Sequence, residues 1–293
     1  MSDSVTPTAL LTRARLAFHQ HLILHEVLSV ARDGIASNAD KSQKTSRDIA
    51  LHMATSLGAH IEVQKLAGQR SGANFERIVA DFLSETFPHF LSLRPGNWTL
   101  ANVGSSRKNE HLSRFEPYRH LSLLSDAVEA DPALQAILGN SYSISPDVVV
   151  LRSPESDETI NAGTYLVDED SGRYSVIRQA NQTHDIVHAV ISCKWTLRSD
   201  RAQNARAEAL SILRNRKGRA PHIVVVTGEP TPSRLASLAL GTGDLDMVYH
   251  FALPELIDAV EACGNDEAQA MLAALVEGQR LRDISDLPLD LSV

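Results

Sequence analysis

The stretch HDIVHAVISCKWTLRSDR, residues 184–201, decides how this chain is read. Its side chains alternate: Ala189, Ile191, Cys193 and Trp195 face one way, and His188, Val190, Ser192 and Lys194 the other. That pattern predicts a strand over 184–196. A lysine thus closes a strand on the face it shares with Ser192. After Ser199 a helical pattern runs to about Lys217 and is stopped by Gly218. Upstream, Ser145-Pro146-Asp147 opens the apolar run 148–151 of a strand read over 144–151, so a carboxylate stands at the mouth of a central strand. Glu208 falls in the middle of the helix, 14 residues after Lys194, where its side chain can project back over the same strand ends.

Outward from this segment, strands are expected at 164–167 and 174–178, joined by a hairpin turn over 168–172, and again at 222–227 and 246–251. Helices follow Pro232 and cover 254–262 and 266–277. Toward the N-terminus, Leu11, Leu16, Phe18, Leu22 and Leu28 recur at helical spacing over 8–32, and a second helix is expected over about 47–66. A third, over 71–87, has a buried stripe of Phe75, Ile78, Val79 and Phe82, with Glu76 at its border. Residues 94–119 read as irregular, and 121–138 as a helix restarted at Asp131-Pro132. This order predicts an α/β fold, a central mixed β-sheet flanked by helices with a helical N-terminal portion. The chain is read as one domain, with 1–140 mainly helical, 141–252 carrying the catalytic sheet core and 253–293 the C-terminal helices.

With 293 residues, 43% hydrophobic and 22% charged, the composition is that of a folded globular protein. No apolar run approaches the roughly 18 residues of a membrane span. Met1 to Thr12 lacks the features of a secretion signal, so a cytoplasmic protein is expected. Cys193 and Cys263 alone build neither a disulfide framework nor a usual structural zinc site. The net charge of −8 is unevenly spread: residues 194–219 carry a net +6, and the other 267 residues −14. That basic stretch is either a solvated helix or a face that meets a polyanion.

Phosphodiester hydrolysis calls for carboxylates to hold Mg²⁺, for the metal to lower the pKa of a bound water, and for a cation near that water. Asp147, Glu208 and Lys194 are those parts. Singly, each has a structural explanation as a turn, helix-surface or strand-end residue; together in one α/β stretch they point to a nuclease. The segment resembles the PD-(D/E)xK nuclease fold, in which Pro-Asp opens one strand and an acidic-x-Lys triplet ends the next. Here Ser192-Cys193-Lys194 puts serine where the second acid belongs. That departure resembles the type II restriction endonucleases that read CCGG cores, whose missing acid comes from the following helix, as Glu208 does. Arg198-Ser199-Asp200-Arg201 matches that subgroup's reading box, and the chemistry fits: arginine suits guanine O6 and N7, and a carboxylate accepts from cytosine N4, each good contact giving about 1 to 3 kcal/mol of discrimination. A symmetric dimer doubles the half-site into a palindrome. Ser199 also reads as a helix N-cap.

The likeness extends along the chain toward the tetrameric enzymes that cut GCCGGC. By resemblance, Glu76 completes the active site, Cys193 offers its backbone carbonyl to the metal beside Asp147 and Glu208, Asp40 and Arg234 read the outer G·C pair, and Gln69 touches the minor groove. The resemblance implies Mg²⁺-dependent cutting of both strands of double-stranded DNA at G/CCGGC, leaving 5′-phosphate four-base overhangs. It also implies a homodimer that assembles into a homotetramer, and a companion DNA methyltransferase in the host. His21 and His25, one helical turn apart, lack a third metal ligand, and Gly241-Thr242-Gly243 reads as a loop. Two other classes compete: another nuclease of this fold serving repair or recombination, which has no use for the Arg198–Arg201 box, and a non-catalytic DNA-binding protein, which has no use for the carboxylates and lysine.

Overall fold

The computed structural model describes residues 8–59, 68–102, 112–138, 144, 146–197, 199–241 and 243–293; the side chains of 68–70, 138, 199 and 200 are left aside. Six strands form one sheet in chain order: β1 (Trp98–Asn102), β2 (Val148–Arg152), β3 (Ile186–Lys194), β4 (His222–Thr227), β5 (Met247–His250) and β6 (Leu281–Asp283). β1, β2 and β3 pair antiparallel, and β3 to β6 parallel. The sheet is therefore mixed, as the sequence led one to expect. The helices are α1 (Leu10–Leu24), α2 (Lys44–Ser56), α3 (Gly68–Thr86), α4 (His120–Ala130), α5 (Pro132–Leu138), α6 (Asp157–Ile160), α7 (Ser199–Asn215), α8 (Pro232–Ala239), α9 (Leu253–Cys263), α10 (Asp266–Glu277) and α11 (Leu287–Asp290). α7 connects β3 to β4 and α8 connects β4 to β5, the crossovers that parallel pairing requires.

β2, β3 and β4 are buried almost end to end, which is why their sequences are near-continuous apolar runs. The register breaks once, where Val150 pairs with Ala189 but Leu151 with Val187. His188 is thus an extra residue in β3. Beyond it Lys194 pairs with Thr227 across the parallel ladder. Since β2 runs against β3, the residue that precedes β2 lies beside the end of β3, and Asp147 meets Lys194 through this topology.

α3 covers that end of the sheet. Phe75, Ile78, Val79 and Phe82 are all buried, and Phe75 packs on Trp195 with ring centroids 5.0 Å apart. On α7 the buried residues include Ala202, Ala205, Ala209 and Ile212, and Arg206 bonds Asp244 at 2.9 Å, fixing the helix to the loop before β5.

The structure corrects several expectations. The segments 164–167 and 174–178 are not strands, and no hairpin joins them. Side chains satisfy the backbone that a partner strand would have satisfied: Asn161 Oδ1 accepts from the N–H groups of Leu166 and Val167 at 2.8 and 2.9 Å. Asp168 Oδ1 accepts from those of Asp170 and Ser171, the local competition typical of these residue types. Arg178 clamps the loop by bonding both oxygens of Asp157 and the carbonyl of Ser171. The first helix ends at Leu24, because the chain turns through Glu26 at φ 54°. Leu28 is buried in the following turn and Leu16 is exposed. The second helix stops at Ser56, before Gly58 at φ 81°, and residues 60–66 of its expected span lie outside the described residues. The supposedly irregular 94–119 contains β1, and β6 was not anticipated at all.

Candidate active site

Three elements bring the charged groups together: the start of β2, the end of β3 and the middle of α7, with α3 laid across them. Lys194 Nζ donates to Asp147 Oδ2 at 2.9 Å, and the N–H of Cys193 donates to the same oxygen at 2.7 Å. Both side chains are mostly buried, 19% and 15% exposed. Ser192 is buried on the same face, and its Oγ donates to Glu208 Oε2 at 3.5 Å, the outer limit of a hydrogen bond. Ser192, two residues before the lysine, thus reaches Glu208 on the following helix. Glu76, held near by the packing of Phe75 on Trp195, feels the charges of Asp147, Lys194 and Glu208.

One ammonium thus faces three carboxyl groups. Burial, reinforced by Asp147, pushes Glu208 up to about 7 despite Lys194. Burial and the charges of Asp147 and Glu208 push Glu76 to about 7 as well. For Lys194, burial disfavours the charge, but Asp147 and Glu208 outweigh it and hold the ammonium above its ordinary value. The lysine is therefore a cation at neutral pH and not a base. Burial raises the Cys193 thiol well above its usual range, with Asp147 adding to the effect. By strand alternation its side chain lies on the face opposite Ser192 and Lys194, so it is the Cys193 backbone, whose N–H donates to Asp147, that stands at the cluster.

The donor set suits a hard divalent ion. Among the described residues no three His, Cys, Asp or Glu side chains form a ready cage, but Mg²⁺ ordinarily takes one or two carboxylates and completes its shell with water and phosphate oxygens. Asp147 and Glu208 could supply two, and a bound cation would offset the burial and the neighbouring carboxyl groups that raise Glu76 and Glu208.

Of the residues assigned to DNA reading, Asp40 and Arg234 are brought together from positions 194 residues apart. Arg234 Nη2 donates to Asp40 Oδ2, while Ser42 donates to Oδ1 through its N–H at 2.9 Å and its hydroxyl at 2.7 Å. The Ser42 bonds and Arg234 hold the Asp40 carboxyl well below the carboxylate range. Arg201 Nη1 donates to Thr196 Oγ1 at 3.1 Å. Arg198 lies outside the described residues. Asp200 falls in the first turn of α7 and Gln69 in the first turn of α3. Ser199 is the first helical residue of α7, where the sequence reading made it the cap.

Sequence reasoning missed Glu229. Its side chain is 1% exposed; its Oε2 accepts from the N–H of Leu197 at 2.8 Å and its Oε1 from that of Thr231 at 3.2 Å. The signal was present: Thr227-Gly228-Glu229 puts an acid just past an apolar strand, as Asp147 stands just before one. Gly228 has its own requirement, since a Cβ there would lie 2.5 Å from the Trp195 ring.

A lysine among carboxylates at the ends of the central strands of a mixed sheet, beside a helix that carries Arg201, Arg206 and Arg214, fits a nuclease-type hydrolase. The NgoMIV restriction enzyme family matches residues 18–293. The chain is 46% identical over 284 residues to the type II restriction enzyme NgoMIV of Neisseria gonorrhoeae, covering 97% of this chain and 99% of that one. The chain belongs to the NgoMIV restriction enzyme family and is a type II restriction endonuclease, a site-specific deoxyribonuclease. The repair-nuclease and non-catalytic readings are thereby set aside. Among solved structures, a restriction endonuclease PspGI–substrate DNA complex matches over 98% of this chain and 92% of that one, at 14% identity and a TM-score of 0.25. Among the described residues no helix is long and apolar enough to cross a membrane.

Proposed function

We propose that this endonuclease is Mg²⁺-dependent and cuts both strands of double-stranded DNA at G/CCGGC, leaving 5′-phosphate four-base overhangs. The observation that carries the reading is the Asp147–Lys194 contact at 2.9 Å with Glu208 and Glu76 close around it. Asp147, Glu208 and the Cys193 carbonyl would hold the ion. When bound it would lower the pKa of a water and offset phosphate charge. The chain's own residues do the rest. Lys194, kept cationic, orients the attacking oxygen and stabilises the charge that grows on the phosphate. Ser192 orients Glu208 through its hydroxyl, and Glu76 completes the acid cluster.

Arg198, Asp200 and Arg201 read the CCGG core, Asp40 and Arg234 the outer pair, and Gln69 the minor groove. The 46% identity to a type II restriction enzyme supports the class, and the sequence boxes support the specificity. Residues 1–293 act as one domain, a reading supported by the buried core that, among the described residues, runs from Ala14 to Leu291. A homodimer that assembles into a homotetramer is what the resemblance implies, and the 161–182 loop offers apolar surface for such an assembly. That loop leaves Tyr165, Leu166 and Tyr174 at 76%, 62% and 92% exposure, the kind of apolar surface another protein copy covers. A cytoplasmic location and a companion methyltransferase follow from the restriction role.

The test is digestion with Mg²⁺ of plasmids carrying zero, one or two GCCGGC sites, with the ends sequenced. Cutting after the first G, faster on the two-site plasmid, is the expected result. Cutting at other CCGG hexamers would remove Asp40 and Arg234 as outer readers, and equal rates on one- and two-site plasmids would count against the tetramer.

A further inference from the structure

The turn after β4 touches both halves of the proposed reading apparatus. Lys194 pairs with Thr227 in the sheet, so the next residues, Gly228 and Glu229, leave the sheet beside the lysine. On one side, the Gly228 N–H donates to the Lys194 carbonyl at 3.4 Å and Glu229 Oε2 accepts from the Leu197 N–H at 2.8 Å. Leu197 immediately precedes Arg198. On the other side, Arg234 Nη1 stands 3.8 Å from Glu229 Oε2 while its Nη2 donates to Asp40. Asn38, two residues before Asp40, donates from Nδ2 to the Gly228 carbonyl at 2.8 Å. Capping two backbone N–H groups needs acceptor oxygens and no charge. A buried carboxylate facing a guanidinium that spans two acids has a further use, because arginine's rigid fork is directed by what it pairs with.

We infer that Glu229 is a positioning residue for sequence reading: it sets Arg234, and with it Asp40, in register with the Leu197 backbone that leads into Arg198, so that outer and inner base pairs are read in one frame. This rests on the assignment of Asp40 and Arg234 to the outer pair and of Arg198 to the core.

The test measures kcat and KM with Mg²⁺ on duplexes containing GCCGGC or ACCGGT, for the full-length wild type, E229Q, R234A and the double variant. E229Q is expected to reduce the preference for GCCGGC roughly fivefold, the scale of a close ion pair without a hydrogen bond. The loss should fall on KM for the preferred site, with kcat held within about twofold because Asp147 and Lys194 are untouched. In the R234A background, E229Q should add less than about a further twofold, since both act through one contact. E229D keeps the charge one methylene too short to span both partners, and it should relax the preference too; it carries the test if E229Q does not fold. An unchanged preference in E229Q, with activity on both duplexes falling equally, would reduce Glu229 to a backbone cap and overturn the inference. Full additivity with R234A would overturn it too. If R234A itself left the preference unchanged, the outer-pair assignment would fail and take the inference with it. A relaxed R234A beside an unaltered E229Q and E229D would overturn Glu229's role alone.

Discussion

Two buried ionic clusters in this molecule have similar ingredients and opposite character. In the first, Arg15 donates from Nε and Nη2 to Asp283 at 2.9 and 3.0 Å and from Nη1 to Glu255 at 2.9 Å. Asp283 also accepts from the N–H groups of Leu253 and Ser285 at 3.0 Å. Every charge has a geometric partner. Although burial opposes ionisation, the Arg15 bonds hold both carboxyls below their ordinary values. In the second, one lysine serves three carboxyl groups, and burial pushes Glu76 and Glu208 up to about 7. The first cluster is complete and fastens α1 to the end of β6 and the start of α9. The second holds more carboxyl groups than its one lysine can pair, the arrangement that a cation-holding site would use.

The largest expected effect separates the two by chemistry. Lys194→Ala should lower the cleavage rate by on the order of 10³-fold, the scale of losing a principal charge-stabilising donor, while gel-shift binding to the GCCGGC duplex survives; cleavage at the wild-type rate would exclude the assignment. Next, Arg15→Ala should destabilise the protein by about 3–5 kcal/mol in urea unfolding, because it strands two buried carboxylates. Below its melting temperature the variant should cut normally. A smaller effect has the opposite sign. Glu208→Gln mimics the protonated acid and should stabilise the metal-free protein at pH 8 by on the order of 2 kcal/mol, with cleavage lost.

The pH dependence follows from the same contrast. A carboxyl whose folded pKa is raised, as in Glu76 and Glu208, favours the folded state while protonated, and that contribution is lost as pH rises from the ordinary carboxyl range through about 7. Asp283 and Glu255, held low, stabilise above the ordinary range and lose that contribution as pH falls through their depressed values. The smallest expected effect is therefore on the Glu208→Gln increment, which melting curves should show near zero below about pH 4 and growing toward pH 8. An increment independent of pH would deny the raised carboxyl.

The parts of the fold and site that could be read from sequence are those where one physical constraint dominates. β2, β3 and β4 are buried on both faces, so their apolar runs stand out, and an acid or lysine at their ends is conspicuous against them. The stripe on α3 and the Asp131-Pro132 restart were legible for the same local reasons. β1 was not, because this edge strand is only half buried and follows Gly96-Asn97, and β6 is three residues long. The 164–178 stretch carries strand-like residues, but Asn161, Asp168 and Arg178 satisfy its backbone locally, which an alternation pattern cannot register. Glu229 escaped because its significance lies in partners from Leu197 and Arg234, residues that only the β3–β4 register and α8 bring beside it.

The most direct test of the central claim, that the second cluster is a centre for a divalent cation, is a Mg²⁺ titration of single-turnover cleavage of a GCCGGC duplex, starting from EDTA, in the wild type and Glu208→Gln. The account predicts no cutting in EDTA, a saturable rise with Mg²⁺ in the wild type, and little or no cutting by the variant at any concentration. Wild-type cutting in EDTA, or a variant with the same Mg²⁺ dependence as the wild type, would contradict it.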